Sequence, residues 1–341
     1  MRKLIITDNL KIRFCFFPVL FFVFVFGARA QEYTFGYNLK KGDTFTQTTV
    51  ADIKITQEAM GRTTDVSNVL TSTLSYRVAG VENDLISMEM NYDRVKIGLE
   101  MPGTEIEADS EQTDKKQTTE RLAGEKPADE KTTAIASSFA GMSPMLKSIT
   151  NIPITLVLSK EGELKEVRGV DKLQQSIARS VDGDSGQSLM AAQFSQQFNE
   201  EAVKNMAGQN AAFYFPGKPV KVGDSWVNAM TTRQSNIPMG ATMKMTLLSV
   251  DKNIATLQVE AVYATAEDDP AEELFAKIKI TGTQSGTMKI DLASGWAKES
   301  DMVQQIRLDS EINGMKSSQT STGRITLTTV TTAREALPGN P

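Results

Sequence analysis

The stretch KKGDTF at residues 40–45 returns as KVGDSW at residues 221–226, and this repeated turn decides the fold. In each copy a glycine permits a tight turn, the next residue is an aspartate that can bond the turn's backbone amides, and an aromatic residue opens a strand. We therefore predict that Phe45 and Trp226 anchor the first long strand of each copy in the core. Catalysis by the two aspartates is the alternative, and their places in different copies disfavour it.

Two further pairs of segments follow the repeated turn in the same order. Residues 76–90, YRVAGVENDLISMEM, align with residues 245–259, MTLLSVDKNIATLQV, as a strand, a turn with Asx residues and a returning strand. Residues 158–167 align with residues 291–300 as a hairpin with a glycine at its tip. Three landmarks in one order indicate an internal duplication that builds antiparallel β-structure with one buried face.

The pattern as a whole predicts the α+β class, rich in β-strands, with two related antiparallel β units and helices packed on the sheets. We place the first unit at residues 31–215 and the second at residues 216–335. The first copy contains a charged insertion at about residues 103–133, which is low in apolar residues and is expected to be a solvated loop. A helical segment is expected at about residues 132–206.

The helical segment contains three candidate helices. Residues 132–149 are typical of a helix interrupted near Pro144, and residues 170–181 of a short helix entered through Asp171. Residues 185–206 show the clearest helical pattern, and their apolar stripe either lines a groove for an apolar ligand or fills a solid core. The candidate ligand-binding residues in this stripe are Met190, Phe194 and Phe198.

Residues 1–30 have the composition of a signal peptide. A basic start precedes an apolar run from Phe14 to Gly27, and Ala28-Arg29-Ala30 has the small-x-small form that signal peptidase cleaves. As a helix the apolar run would be ~21 Å long, short of the ~30 Å hydrocarbon core of a bilayer. We therefore expect export to the periplasm or beyond, as a soluble chain with no transmembrane segment after cleavage.

Composition excludes several kinds of chemistry. The chain has no histidine, and its one cysteine, Cys15, lies inside the signal peptide, so the mature chain lacks thiols and imidazoles. Cleavage would remove five basic residues of 37 and one acid of 42, which leaves a net charge of −9 and disfavours nucleic acid as a partner. We expect no metal, no cofactor and no enzymatic activity; a carboxylate-based hydrolase is a minor alternative.

Five segments resemble a family of uncharacterised secreted proteins from Gram-negative bacteria that share a domain of unknown function. They are YTFGYNLKKGDTF (33–45), EIEADSEQ (105–112), ITLVLSKEGELKEVRGVDKL (154–173), FYFPGKPVKVGDSW (213–226) and IDLASGWAKESD (290–301). The resemblance implies an exported, β-rich, periplasmic protein and brings no activity with it. In architecture alone the pattern is also similar to the half-barrel carriers that shield lipids in the periplasm.

The expected function is therefore a non-enzymatic one in the cell envelope. The first hypothesis is a protein that binds or carries an apolar or amphipathic small molecule. The alternative is a structural or interaction module that meets an envelope protein through an exposed strand edge or apolar patch.

Overall fold

The computed structural model describes residues 31–332, except for 102–103, 112–141, 181–191, 193, 196–197, 205–211, 235–236, 266–275 and 313. The predicted signal peptide at residues 1–30 and most of the predicted helix at 185–206 lie outside the described residues. Within the described ranges, no helix has the length and apolar character needed to cross a membrane.

Within the described residues, twelve strands form one antiparallel sheet. The strands are β1 (Thr44–Ala59), β2 (Arg62–Glu82), β3 (Leu85–Met101), β4 (Thr104–Asp109), β5 (Ile154–Ser159), β6 (Leu164–Arg168), β7 (Ser225–Gln234), β8 (Ile237–Asp251), β9 (Ile254–Thr265), β10 (Ala276–Asp291), β11 (Trp296–Ile312) and β12 (Met315–Thr332). The chain is thus strongly β-rich, as the alternating sequence patterns predict.

The sheet consists of two five-stranded meanders joined by one strand. Its strands follow the order β6-β5-β3-β2-β1-β12-β11-β10-β9-β8-β7, and β4 pairs with β3 beside β5. β12 pairs with β1 on one side and with β11 on the other. Within each meander the strands are paired in the order in which they follow along the chain, although β4 and the rest of residues 102–153 lie between β3 and β5.

The repeated turn has the same geometry in both copies. Gly42 and Gly223 have φ angles of +88° and +94°, the left-handed region in which glycine lacks the steric cost of a side chain. In each copy the aspartate Oδ2 accepts a hydrogen bond from the backbone N of the lysine three residues earlier, at 2.7 Å and 2.8 Å. Phe45 and Trp226 are both buried. The structural role predicted for the turn is therefore confirmed.

The second landmark also matches between the copies in detail. Both Asx turns contain two residues in the left-handed region, and the strand before each turn has a register irregularity close to the turn. These irregularities lie between Val78 and Gly80 and between Leu247 and Ser249, and they are displaced by 169 residues (247 − 78 and 249 − 80); β2 has a second irregularity between Thr73 and Leu74. The third landmark, the hairpin tips, places Gly162 and Gly295 at φ +88° and +78°.

Two α-helices whose bounds lie within the described residues contribute to the hydrophobic core. They are α1 (Met142–Ser148) and α2 (Val170–Arg179), and a short 3₁₀ helix spans Ala212–Tyr214. α1 contacts β3, β4 and α2. The apolar face of α2 buries Leu173 and Ile177 completely; they lie four residues apart, about one helical turn.

Pro144 lies in the first turn of α1, where its missing N–H has no partner within the helix. The interruption predicted near Pro144 in a helix at 132–149 stays a prediction, because residues 132–141 lie outside the described residues. The predicted entry of the second helix was wrong. α2 is not entered through Asp171; its N-cap is Gly169, with φ +91° and no side-chain cap. A Cβ at Gly169 would lie 2.7 Å from the carbonyl oxygen of Pro153, so close packing favours glycine at this position.

The charged insertion is not solvated loop from its start, which corrects the expectation for residues 103–133. Its first part is β4, whose Ile106 and Ala108 are buried, with Glu105 and Glu107 between them. Two apolar residues in alternation suffice here because β4 pairs along the far end of β3. Composition averaged over the whole insertion conceals so short a pattern. Residues 112–133 lie outside the described residues.

Asp109, the last residue of β4, forms an ion pair that ties this strand to β3. Its carboxylate is 3% exposed and accepts bonds from Arg94 Nη2 at 2.5 Å and Nε at 3.2 Å, and from the Glu111 backbone N at 3.0 Å. Burial alone would raise the pKa of Asp109, but the bonds from Arg94 and Glu111 outweigh burial and hold that pKa below its ordinary value.

We expect Asp109→Asn to lower the free energy of unfolding by about 2 kcal/mol at pH 7. The loss is smaller than on breaking a fully buried ion pair, because Arg94 is 41% exposed. A lowered folded-state pKa stabilises the fold above the unfolded pKa of ~3.9, and this stabilisation is lost as the pH falls below that value. Urea unfolding at pH 7 and at pH 3 should therefore show a difference that shrinks in acid. Asp301→Asn is the control, since its pair with Arg324 is exposed. An equal difference at both pH values would contradict this account.

Candidate functional site

The sheet curls, so that strands far apart in its order enclose one cavity at its base. β5 and β10 are six places apart in the sheet, yet both contribute to the wall of a cavity of about 70 Å³. We call it the base cavity. Its apolar wall includes Leu74, Met88, Met90, Leu156, Leu158 and Ile290. The inner face of the sheet is therefore concave.

Glycines allow the sheet to bend between its two halves. At Gly286 on β10 an added Cβ would lie 2.0 Å from the carbonyl oxygen of Asp301, and at Gly323 on β12 it would lie 2.1 Å from that of Asp52. A glycine inside a strand often marks such a close backbone approach. Gly323 lies where β12 meets β1 between the two meanders, and Gly286 lies at the β10–β11 pair of the second meander.

A strap of residues 33–39 closes the base cavity from below. Its first residue exchanges two backbone hydrogen bonds with Val220, at 2.8 Å and 2.9 Å. The backbone N–H of Tyr37 then donates to the carbonyl oxygen of Lys160 at 2.7 Å. The backbone N–H of Asn38 donates to the carbonyl oxygen of Ser294 at 3.0 Å. The strap thus connects the β5–β6 hairpin, the β10–β11 hairpin and the segment that precedes β7.

An aromatic cluster surrounds Trp296 beside the strap. Phe45 stacks on the indole with ring centroids 4.4 Å apart and planes at 9°, and Tyr76 meets it edge-on at 5.0 Å. Tyr37 of the strap lies 5.9 Å away from the same ring. Such contacts hold the Trp296 ring in one orientation.

Several polar groups belong to the wall of the base cavity. Trp296 is 6% exposed, and its Nε1 is buried with no hydrogen-bond partner among the described residues. The side chain of Gln47 is also buried there. Burial raises the pKa of Tyr37 and of Tyr76, and raises the pKa of Tyr214 to about 12, so the three phenols are neutral at physiological pH.

Beyond the base cavity, the concave face continues as an aliphatic inner stripe. Ile53 and Ile55 lie on the same face of β1 as Gln47, six and eight residues further along, and β2, β11 and β12 contribute side chains from paired positions. These side chains are half-buried, whereas their counterparts near the base are fully buried. The inner stripe comprises Ile53, Ile55, Val66, Ile306, Leu308 and Ile325.

At the far end of the long strands lies a tip cavity of about 1050 Å³. Its wall includes the β1–β2 turn at residues 58–63 and the end of the β11–β12 hairpin. Charges of both signs occur there. Arg307 donates to Asp309 at 2.8–3.0 Å and, with help from Ser318, holds the pKa of that carboxyl below its ordinary value.

Of the three predicted ligand-binding residues, the two that the structure describes lie apart from both cavities. Phe194 and Phe198 are half-buried against the core, with ring centroids 4.9 Å apart, and Phe198 meets Tyr92 edge-on at 5.8 Å. Met190 lies outside the described residues. Neither residue of the described pair belongs to the wall of the base or the tip cavity. A groove beneath the helix at 185–206 therefore stays a prediction.

Sequence reasoning missed the base cavity and the inner stripe. Alternation at Ile53 and Ile55 was a usable signal for the stripe, but it does not distinguish a covered face from a half-open one. The wall of the base cavity comes from both copies and from the strap, so local patterns do not reveal it. No motif in the neighbouring sequence marks Trp296 as part of a site.

Within the described ranges, no group of three or more acidic, histidine or cysteine side chains is placed to hold a metal ion. Where the pKa of a carboxyl group in these ranges differs from its ordinary value, it is lowered. Asp109 and Asp309 are two examples. A general acid at neutral pH needs a raised carboxyl pKa instead.

Among curated proteins, no sequence matches this chain. A structure titled for lipid–protein interactions in lipovitellin is similar with a TM-score of 0.42 and 7% identity over 89% of this chain, which spans 26% of lipovitellin. OmpF of Salmonella typhi in complex with daunomycin gives a TM-score of 0.22 and 8% identity, covering 84% of this chain and 98% of that one. The translocator domain of the autotransporter NalP from Neisseria meningitidis gives a TM-score of 0.19 and 5% identity, covering 85% of this chain and 90% of that one.

The sequence comparison with protein families is more informative. One family model matches residues 83–297, which is more than half of the chain and includes β3 to β10. The match contains the left-handed residues of both Asx turns and the glycine tips of both hairpins, Gly162 and Gly295. The chain therefore belongs to the family of unknown function DUF6263.

Proposed function

We propose that this protein binds an apolar or amphipathic molecule along the concave face of its sheet and catalyses no reaction. The inner stripe carries the proposal. Its aliphatic side chains face the inside of the sheet but are only half-covered, whereas aliphatic side chains that serve only the core are buried as completely as Leu257 or Val259. Covering this stripe with an apolar chain would be favourable at about 25 cal/mol per Å².

The dimensions suit one extended hydrocarbon chain. From Ala51 to Ala59 the inner face of β1 is about 27 Å long, at ~3.4 Å per residue. A lipid chain spans about 15 Å, half of the ~30 Å hydrocarbon core of a bilayer. The stripe ends at the tip cavity, where the hydroxyls of Ser310 and Ser317 lie on the same face as Ile306 and are available to a polar head group. An amphipathic ligand therefore matches both the stripe and the tip cavity.

The absence of catalysis is part of the proposal. The charged residues of the tip cavity include the Arg307–Asp309 pair, which keeps that carboxylate ionised rather than poised to donate a proton. Together with a mature chain that has no histidine or thiol, this favours binding over acid–base or nucleophilic chemistry.

Binding of a fluorescent C16 fatty acid tests the proposed function. We expect Ile306→Gln, in the inner stripe, to weaken binding about tenfold, because about 1.5 kcal/mol of apolar contact is lost. Val303→Gln is the matched control, since Val303 lies on the same strand, faces the other side and is 58% exposed. Equal affinity of the two variants, or no binding by the unmodified protein, would refute the inner stripe as the site.

We also propose that the protein is exported and acts in the cell envelope, on the basis of residues 1–30. N-terminal sequencing of the protein recovered from its own cells should begin at Gln31. Recovery of a chain that retains Phe14 to Gly27 would contradict cleavage.

We infer that the two meanders arose by duplication. Support comes from the shared turn hydrogen bonds and from register irregularities that share the 169-residue displacement of the Asx turns. A single unit would leave its first strand without the neighbour that β12 provides, so the two copies are expected to depend on each other.

A second candidate function is an interaction module, and one edge of the sheet favours it. β6 is only five residues long and contains Lys165, Glu166 and Arg168, the charges that protect an edge. β7 is ten residues long, and it has no charged residue before Arg233. An added strand from an envelope protein would pair there. A photo-crosslinker at Val227 should then capture one discrete partner that a crosslinker at Val303 does not; equal patterns would remove this candidate.

A further inference from the structure

Two glutamine side chains lie opposite each other in the middle of the concave face. Gln284 of β10 pairs directly with Gln304 of β11, and both are half-buried. Because side chains alternate along a strand, Gln304 shares the inner face with Ile306, two residues further along in the inner stripe. We call the two glutamines the amide pair. They interrupt an aliphatic surface with neutral groups that both donate and accept hydrogen bonds.

The positions around the amide pair carry small residues. On the same face of β9, β10 and β12, the neighbouring positions have at most a methyl group; they are Ala261, Gly282, Gly286 and Gly323. The three glycines among them are half-exposed. Glycine inside a strand allows a ligand to approach the backbone closely. No bulky side chain therefore reaches over the amide pair from these positions.

The amide of Gln304 has accessible surface. Its side chain makes no hydrogen bond to another described residue, and neither of its polar atoms is among the fully buried atoms that lack a partner. A polar atom of a half-buried residue that is neither bonded nor fully buried is open to solvent. The alternation of β11 places this open surface on the concave side, where a ligand of the inner stripe would lie.

Tyr263 orients the other amide. Its hydroxyl donates to Gln284 Oε1 at 2.8 Å. Burial raises the pKa of Tyr263, so the phenol keeps its proton at physiological pH. Because Oε1 accepts this bond, the Nε2 group is what Gln284 offers to a ligand. A group bound at the amide pair therefore meets an oriented N–H donor on β10 and a second amide on β11.

The surroundings favour a neutral acceptor. Alternate residues of β10 from Ile278 to Ile290, and of β11 from Met302 to Ser310, share the inner face, and none of them is charged. A carboxylate or phosphate at the amide pair would lose hydration without gaining a cation. The carbonyl of an ester or amide accepts from N–H donors without this penalty.

Apolar side chains continue on both sides of the amide pair. Ile306 and Leu308 follow toward the tip cavity, and Ile325 and Leu327 follow toward the base; all four are half-buried. In each direction the second of these residues is four positions from the row of the pair (308 − 304 and 327 − 323), about 14 Å at ~3.4 Å per residue. An apolar arm nearly as long as the ~15 Å of a lipid chain therefore fits on either side.

We propose that the amide pair binds the neutral carbonyl of an ester or amide that carries an apolar chain on each side. This inference rests on the proposed function, because it names the ligand class for the same concave face. The carbonyl oxygen accepts from Gln284 Nε2 and from the Gln304 amide. The site thus separates such a ligand from a plain hydrocarbon of the same length.

A competition between octyl octanoate and heptadecane, whose chains are equally long, tests the site. The protein is equilibrated with an equimolar mixture of the two oils and re-isolated, and its bound oil is extracted and quantified by gas chromatography. We expect the ester to be enriched about tenfold over its share in the mixture, the contribution of one hydrogen bond. Gln304→Leu should bring the uptake of the two oils close to equality.

Gln305→Leu is the matched control, because Gln305 is the next residue on the same strand, faces the other side and is exposed. This variant should keep the enrichment. Tyr263→Phe gives a second test that keeps the aromatic ring. It removes the bond that orients Gln284, so the enrichment should fall about threefold.

Three results would overturn the amide pair as a site and leave the proposed function in place. They are equal uptake of the two oils by the unmodified protein, unchanged enrichment in both Gln304→Leu and Tyr263→Phe, and an equal loss of enrichment in Gln305→Leu. Uptake of neither oil would also overturn the site, and the fatty-acid titration then decides separately on the inner stripe.

Discussion

Gly295→Ala is expected to lower the free energy of unfolding by about 3–5 kcal/mol. Gly295 has φ +78°, where a residue with a side chain costs about 1–3 kcal/mol. Its Cβ would also lie 2.2 Å from the carbonyl oxygen of Gly36 and 2.9 Å from the Cα of Tyr37, both in the backbone of the strap. Relief requires the strap to move away from the β10–β11 hairpin, which adds about 1–3 kcal/mol. Urea unfolding followed by tryptophan fluorescence measures the loss.

Gly61→Ala separates the two causes. Gly61 lies in the β1–β2 turn with φ +72°, but no described atom lies within 4 Å of a Cβ placed there. This control should therefore cost only about 1 kcal/mol, the conformational part alone. If both variants lose the same stability, the strap does not press on the hairpin in the way the structure shows.

Phe45→Ala is expected to cost about 3–5 kcal/mol, as for other buried aromatic side chains. Phe45 is buried and stacks on Trp296 at 4.4 Å, so its removal opens the aromatic cluster as well as the first strand of the sheet. Thermal unfolding gives the magnitude. The near-ultraviolet circular dichroism of the native variant should also weaken, because Trp296 loses the ring that fixes it.

The second copy offers the matched control for Phe45→Ala. Trp226 occupies the corresponding position, and Trp226→Phe installs the residue that the first copy uses. This change also removes an indole N–H that has no described partner, so we expect a cost below about 1.5 kcal/mol. A Trp226→Phe variant as unstable as Phe45→Ala would show that the two positions are not equivalent.

The sequence predicted the features that depend on local conformation. Gly42, Gly223 and the Asx residues Asn83 and Asn253 occupy φ regions that few other residues tolerate, so their turns are visible in the sequence itself. Alternation identified the buried face of β3 through Met88 and Met90 in the same way. These are properties of a residue and its near neighbours.

Features that depend on distant residues were not predicted. β4 has only Ile106 and Ala108 to mark it, and it is a strand because β3 extends far enough to pair with it. The unpaired N–H of Trp296 arises because Phe45 and the strap fix its ring, and nothing near Trp296 in the chain indicates this. The candidate site therefore had to be found in the structure.

The position of β12 has a consequence for how the chain folds. Thr44 of β1 lies opposite Thr332 of β12, 288 residues later (332 − 44). Pairing across such a separation carries a large loop-closure entropy and is slow, whereas β12 and β11 form a hairpin, and most other pairs also join strands that are close in sequence. We expect β12 to pair with β11 early and the β1–β12 pair to form last. Until then β1 and β12 are unprotected edges, and the chain is most exposed to aggregation just before it completes its sheet.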